Sequence, residues 1–223
     1  MTEFIFMLTH HDDTIPDAIE VFDKIKDTGI KFVGFKNTGL PKDKMKILVE
    51  KMKETKKTIF MEVVTYEEKE QYEAVDLATE LGVDYLIGCM PQYALKVKKY
   101  IEKKKSKIKF FPYIGTVVGH PCILKGEVNQ IVQNGKEFEK AGIEGINLLL
   151  YRYTGDTNLL LNKIVSSLNI PIIVAGSVDN FEKIKQIKEK NVWAFTIGGG
   201  ILERKFVKGD IRDQILAVLN FIK

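Results

Sequence analysis

The sequence predicts a single (β/α)8 barrel over residues 1–223, an α/β fold with eight parallel strands. Three observations lead there. Short β-rich apolar runs alternate with longer amphipathic, Lys/Glu-rich segments from one end of the chain to the other. Eight such runs in 223 residues give about 28 residues per unit, the size of one βα unit of a parallel sheet. The units also resemble one another: TGIKFVGF, LGVDYLIG and AGIEGINLLL each place a glycine (Gly29, Gly82, Gly142) at a helix end, then an apolar residue, then a strand. Glycine there suits the left-handed position that ends a helix.

Strands are expected at 4–9, 32–36, 58–64, 85–88, 109–114, 146–151, 172–175 and 193–197, each short, apolar and rich in Val, Ile, Phe or Tyr. Between them, amphipathic stretches such as 16–27, 42–53, 67–81 and 127–141 are expected helices. After the seventh strand, Asp179 or Asn180 offers an N-cap for a further helix. No Pro/Ser-rich linker breaks the series, so one domain is expected. The competing arrangement is an open doubly wound sheet. That fold more often carries a Gly-rich loop after its first strand, and MLTHHDD stands there instead.

The composition, 45% hydrophobic and 29% charged, excludes a disordered or fibrous chain. Lys and Arg number 34 against 30 Asp and Glu, a formal charge of +4. Most of the excess is Lys in helical stretches, which reads as a solvated surface, so no nucleic-acid partner is expected. The two cysteines, Cys89 and Cys122, form no C-x-x-C pair, which argues against a disulfide scaffold or a Cys-based zinc site. The start of the chain has no basic segment and no small-residue cleavage site, and no apolar stretch approaches the roughly 20 residues of a membrane span. A cytoplasmic protein without a membrane partner is expected, and its oligomeric state stays open between monomer and homodimer.

In such a barrel, chemistry collects at the C-terminal ends of the strands and in the loops that follow. The first strand ends at His10 and His11 before Asp12 and Asp13, and the second in Lys36, Asn37 and Thr38. The third carries Glu62 and the fourth ends near Cys89. The fifth ends at Tyr113, with a long loop GTVVGHP bearing Thr116 and His120, and the sixth supplies Tyr151, Arg152 and Tyr153. The seventh and eighth end in Gly176-Ser177 and Gly198-Gly199-Gly200. Glycines let backbone N–H groups approach an anion closely, and phosphate commonly sits after strands seven and eight. Gly176, Ser177, Gly198 and Gly199 are therefore candidate phosphate-binding residues.

On IIVAGSVDNFEKI followed by VWAFTIGGGIL, and on the eight-unit layout, the sequence resembles the ribulose-phosphate-binding barrel superfamily. The resemblance implies a ligand with a phosphate group held by those four residues, and it names no reaction, because the fold hosts many. The specific activities of several members find no counterpart here. Histidine-pathway isomerases place an Asp where this chain has His10, pentose-phosphate epimerases use paired metal-binding residues where it has Lys36 and Glu62, and the Asp-x-Lys pattern of orotidine-phosphate decarboxylase is replaced by MEVV. The furan-phosphate synthases look similar in the Lys36-Asn37 pair at the end of strand two.

Lys36 follows the apolar run FVGF, so its amine should emerge at the barrel mouth. Three roles are open to it: a Schiff-base nucleophile after desolvation, a cation that binds phosphate or an enolate oxygen, or a structural partner of Glu62. Alternation sends Phe60, Glu62 and Val64 to one face, where Glu62 would sit beside Lys36 and exchange a proton with substrate. Arg152 suits a carboxylate or a second phosphate, held bidentately. His120 and His10 are candidate general acids. Adjacent residues rarely converge on one ion, so His10 to Asp13 predict no metal site, and no cofactor is expected. The function expected is an enzyme acting on a small phosphorylated sugar or carbonyl metabolite, as isomerase or epimerase. The alternatives are an aldolase-type lyase using Lys36 and a non-catalytic barrel that binds a phosphorylated metabolite.

Overall fold

The computed structural model describes residues 2–223. Eight parallel strands form one sheet: β1 Glu3–Met7, β2 Phe32–Lys36, β3 Thr58–Val63, β4 Tyr85–Gly88, β5 Lys109–Phe111, β6 Ile146–Leu148, β7 Ile172–Val174 and β8 Ala194–Ile197. They run in the order β6-β7-β8-β1-β2-β3-β4-β5. The two ends of that sheet meet through a parallel bridge between Tyr113 and Asn147, where the Asn147 amide donates to the Pro112 carbonyl at 2.8 Å. The result is a (β/α)8 barrel.

Among the described residues nine helices cover the strands: α1 Ala18–Ile25, α2 Lys42–Glu54, α3 Glu68–Leu81, α4 Ala94–Lys103, α5 Val128–Lys140, α6 Thr157–Ser167, α7 Phe181–Glu189, the one-turn α8 Gly199–Leu202 and α9 Ile211–Ile222. The local sequence explains them. In α1, Ala18, Val21, Phe22 and Ile25 recur at helical spacing and are all buried against the sheet. A reciprocal capping box between Glu67 and Glu70 starts α3, and another between Asp210 and Asp213 starts α9. Asn180 caps α7 by accepting from the Lys183 amide at 3.0 Å. The repeated glycines act as expected, with φ of 86° at Gly29, 67° at Gly82 and 73° at Gly142.

Inside the barrel, alternation along each strand builds a second core from Ile5, Met7, Phe60, Tyr85, Ile87, Phe111, Ile173 and Ala194, with Phe32 and Trp193 packed against it. At the N-terminal end of the barrel these residues form an aromatic plug. Phe60 stacks on Tyr85 at 4.4 Å, and Trp193 lies 5.3 Å from Phe111 and 5.6 Å from Tyr85. Further along the same faces, period two places Lys36 above the plug, four residues past Phe32 on β2, with Glu62 two past Phe60 on β3 and Tyr113 two past Phe111 of β5. The apolar plug thus lies beneath a small set of charged and polar groups.

Four expectations change. The fifth strand is shorter than 109–114: it ends at Phe111 before Pro112, which has no N–H to donate, and Tyr113 pairs beyond it as an isolated bridge to Asn147. The sixth strand is shorter than 146–151: it ends at Leu148, and residues Leu150–Arg152 form a 3-10 turn, so Arg152 stands on that turn rather than on the strand. The segment after β5 is no plain loop. Thr116–Val118 and Ile123–Lys125 pair antiparallel as a hairpin, each with one buried residue between two exposed ones. That alternation is a strand pattern too short to stand out from sequence. Finally, the first strand stops at Met7, and Thr9–His10 pairs antiparallel with Asp13–Thr14. His11 and Asp12 form the turn between them at φ of 49° and 64°.

Candidate active site

At the C-terminal end of the barrel a cavity of about 220 Å³ is lined by residues from both ends of the chain. That is below the roughly 300–1,000 Å³ of pockets for drug-sized ligands, and it suits a small metabolite. Its walls include Lys36, Glu62, Arg152 and His10 together with Gly176, Ser177, Gly198 and Gly199. The structure therefore brings together eight of the nine residues singled out from the sequence. His120 is the exception: it is exposed at the tip of the hairpin after β5 and does not line the cavity.

Lys36 and Glu62 stand opposite each other in the parallel register of β2 and β3. Both are buried, at 4% and 6% exposure, and the Lys36 Nζ lies 3.4 Å from Glu62 Oε2. The carboxylate is held further by Tyr113, whose hydroxyl donates to Oε1 at 2.8 Å, and by Asn147, whose Nδ2 donates to the same oxygen at 3.2 Å. Burial and the neighbouring Glu62 push the Tyr113 hydroxyl well up, so it stays a proton donor.

The nearer partner of Lys36 is Asp12, whose Oδ1 accepts from Nζ at 2.8 Å. Arg152 Nη1 donates to both Asp12 oxygens at 3.2 Å, and the Cys122 amide donates to Oδ2 at 3.1 Å. Burial alone would raise the Asp12 carboxyl, but Lys36, Arg152 and that amide outweigh it and lower the pKa to about 2. Asp12 is therefore a fixed counter-ion rather than a proton carrier near neutrality. It also ties the hairpin over the mouth, with help from Tyr66, whose hydroxyl donates to the Gly119 carbonyl. Sequence reasoning named Asp12 without giving it a role, because its burial depends on that hairpin 110 residues away in the chain.

On the far side of the cavity, Gly176 and Ser177 adopt left-handed backbone, with φ of 78° and 57°. A Cβ at Gly176 would lie 3.0 Å from the Arg152 Cγ and Cδ, so the arginine packs flat on this turn. Its Nε reaches Ser177 Oγ at 3.5 Å. Arg152 thus spans the distance from the glycine turn to Asp12. After β8, the chain turns at Gly198 into α8, whose first N–H groups have no partner within the helix. His10 Nε2 meets Glu203 Oε1 at 2.9 Å beside this turn.

The remaining polar candidates face elsewhere. The Tyr151 hydroxyl donates to the Lys183 carbonyl at 3.1 Å, and burial pushes it up to about 12. Tyr153 donates to the Gly126 carbonyl at 2.8 Å, and Asn37 accepts from the Val64 amide at 3.3 Å. Burial pushes the thiols of Cys89 and Cys122 up, away from the thiolate a nucleophile needs. Among the described residues no three His, Cys, Asp or Glu side chains are grouped to hold a metal ion, and no helix is long and apolar enough to cross a membrane.

No family model and no curated protein matches the sequence. Solved structures do match in shape. The N-acetylmannosamine-6-phosphate 2-epimerase of Clostridium perfringens is 15% identical with a TM-score of 0.66, over 99% of this chain and 93% of that one. The thiamine phosphate pyrophosphorylase of Pyrococcus furiosus is 14% identical with a TM-score of 0.68, over 99% and 95%. A phosphoribosylanthranilate isomerase of Thermotoga maritima is 10% identical with a TM-score of 0.68, over 100% and 98%. What this chain shares with them is the (β/α)8 barrel fold. At these identities the likeness is one of fold, and the neighbours' reactions differ among themselves.

Proposed function

We propose that the protein is an enzyme that acts on a small phosphorylated sugar or carbonyl metabolite as an isomerase or epimerase. One observation carries this reading: a buried ammonium–carboxylate pair, Lys36 and Glu62, opens into the same small cavity as the glycine turns after β7 and β8. The structural neighbours support the ligand class, since several are named for phosphorylated compounds.

The phosphate would lie on the turns at Gly176–Ser177 and Gly198–Gly199, with Arg152 alongside, and the carbonyl end would reach Lys36. Glu62 then removes a proton from the carbon next to the carbonyl. The bonding pair shifts to the carbonyl oxygen, and the Lys36 ammonium stabilises the charge that develops there. When the proton of the adjacent hydroxyl passes to that oxygen and Glu62 returns its proton to the former carbonyl carbon, the carbonyl has moved and an isomerisation is complete. Return of the proton to the opposite face of the original carbon gives the epimer instead. The Lys36 ammonium donates to Asp12 at 2.8 Å and stands 3.4 Å from Glu62. A neutral amine free to form a Schiff base would leave the buried Glu62 without its cation and Asp12 with Arg152 alone, so the electrostatic role is the better supported one.

Incubation in D2O with a panel of aldose and ketose phosphates, followed by proton NMR, tests the reading. Deuterium should enter the carbon next to the carbonyl of at least one compound, and Glu62→Gln should slow this by about 10²–10⁴-fold. No exchange with any member would contradict proton transfer. Irreversible trapping of a substrate on Lys36 by borohydride would instead favour the aldolase-type lyase.

A further inference from the structure

A second charged group lies at the phosphate end of the cavity, apart from the Lys36–Glu62 pair. Glu203, the residue that closes α8, folds its side chain back over that single turn. Its Oε1 would lie 3.3 Å from a Cβ placed on Gly199, so the carboxylate sits against the glycine turn. Oε1 lies 2.9 Å from His10 Nε2, and Oε2 lies 2.7 Å from Lys205 Nζ. Lys205 also approaches Asp179 Oδ2 at 3.9 Å, while Asp179 pairs more closely with Lys183 at 2.8 Å. His10, Gly199, Glu203 and Lys205 all line the cavity. Lys205 holds the Glu203 carboxyl below its usual range, with His10 adding to the effect.

A carboxylate beside an anion site is costly unless something there requires it. Here it meets a histidine and a lysine, two groups that recognise phosphate oxygens. We infer that His10 and Lys205 are phosphate-binding side chains and that Glu203 is an internal anion, which occupies them until a phosphomonoester dianion displaces it. This rests on the proposed phosphate site after β7 and β8, and adds to it the side chains that select the ligand. A dianion gains more from the two groups than the single negative charge it replaces. Ligands ending in a carboxylate exchange one such charge for another and gain little. The site therefore selects a phosphomonoester over a carboxylic acid of the same shape. Glu203, displaced toward solvent, loses little, because its side chain is already 41% exposed.

Calorimetric titration of the whole protein with inorganic phosphate at pH 8, where the phosphate is a dianion, tests the inference. Glu203→Gln keeps the shape of the side chain, removes the competing charge, and should tighten phosphate by about tenfold. Asp179→Asn, an acid of the same cavity with its own lysine, should change affinity far less. Lys205→Met in the Glu203→Gln background should weaken phosphate by about tenfold. The His10 ring 15N signals should move on adding phosphate to the wild-type protein, as one partner replaces another. Equal or weaker binding in Glu203→Gln, or unmoved His10 signals in the phosphate-bound protein, would overturn the inference and leave the phosphate site standing. Phosphate binding that survives Gly176→Val, or that is absent from every variant, would overturn the phosphate site and the inference with it.

Discussion

Protonating Asp12 would weaken its bonds to Lys36, Arg152 and the Cys122 amide at once, since all three donate to its two oxygens. Its pKa is lowered from 3.8 to about 2, so the unfolded chain takes up the proton first as pH falls. The stabilisation this represents is about 2 kcal/mol, fully present above about pH 4 and lost as pH drops toward 2. Urea unfolding at pH 7 and at pH 2.5 should show that loss in the wild-type protein, and Asp12→Asn should show a loss smaller by the same amount. Other carboxylates titrate in the same window, so the difference between the two proteins is the quantity to read. Lys36 poses the complementary case. Lys36→Met strands Glu62 and leaves Asp12 to Arg152 and the Cys122 amide, and should destabilise by roughly 3–5 kcal/mol, with partial recovery in the Lys36→Met/Glu62→Gln double variant. Full wild-type stability in the single variant would show that Arg152, Tyr113 and Asn147 compensate the two carboxylates without it. A pairing of Lys36 with Glu62 was readable from alternation on adjacent strands. Asp12 was not, because a turn aspartate is exposed in most proteins, and only the hairpin that covers it makes it a buried ion.

The hairpin after β5 is the element that turns an open barrel end into a cavity. It is fastened by the Cys122 amide on Asp12, by Tyr66 on Gly119, and by the Thr154 amide on the Leu124 carbonyl at 3.1 Å. Asp12→Ala removes the central fastening. Hydrogen exchange should then accelerate at the amides of 118–123 while those of β2 and β3 stay protected. Uniform acceleration across the barrel would mean that Asp12 supports the whole fold and not this element. At the helix ends, Gly82 closes α3 at φ 67°, where a Cβ would lie 2.7 Å from Lys53 Nζ. Gly82→Ala should cost about 1 kcal/mol in thermal unfolding, mostly from the backbone conformation, because the lysine tip can move aside. Such elements were legible in the sequence wherever apolar spacing was long and regular, as in α2 and α3. The two hairpins were missed because ladders of two or three residues leave too short a pattern.

At the scale of the molecule, the barrel itself could be read from eight repeating units, while the connections that make its mouth could not. Strand ends at Lys36, Glu62, Gly176 and Gly198 follow from where each apolar run stops, and alternation decides which side chains face inward. Parallel register then does the rest, setting Lys36 directly opposite Glu62. His10, by contrast, was expected as a general acid and is found beside Glu203, a residue 193 positions away whose side chain returns over a single helical turn. Contacts of that kind depend on the closure of the barrel, in which β1 lies next to β8, and no local pattern announces them. The fold therefore fixes the mouth as one site built from both ends of the chain, and the functional reading stands on a phosphate group lying there. Soaking crystals of the protein in phosphate at near-neutral pH and locating the anion tests that claim directly. Density is expected on the turns at Gly176–Ser177 and Gly198–Gly199, with Arg152 in contact; anion density elsewhere, with none near Gly176 or Gly199, would contradict a phosphate site there.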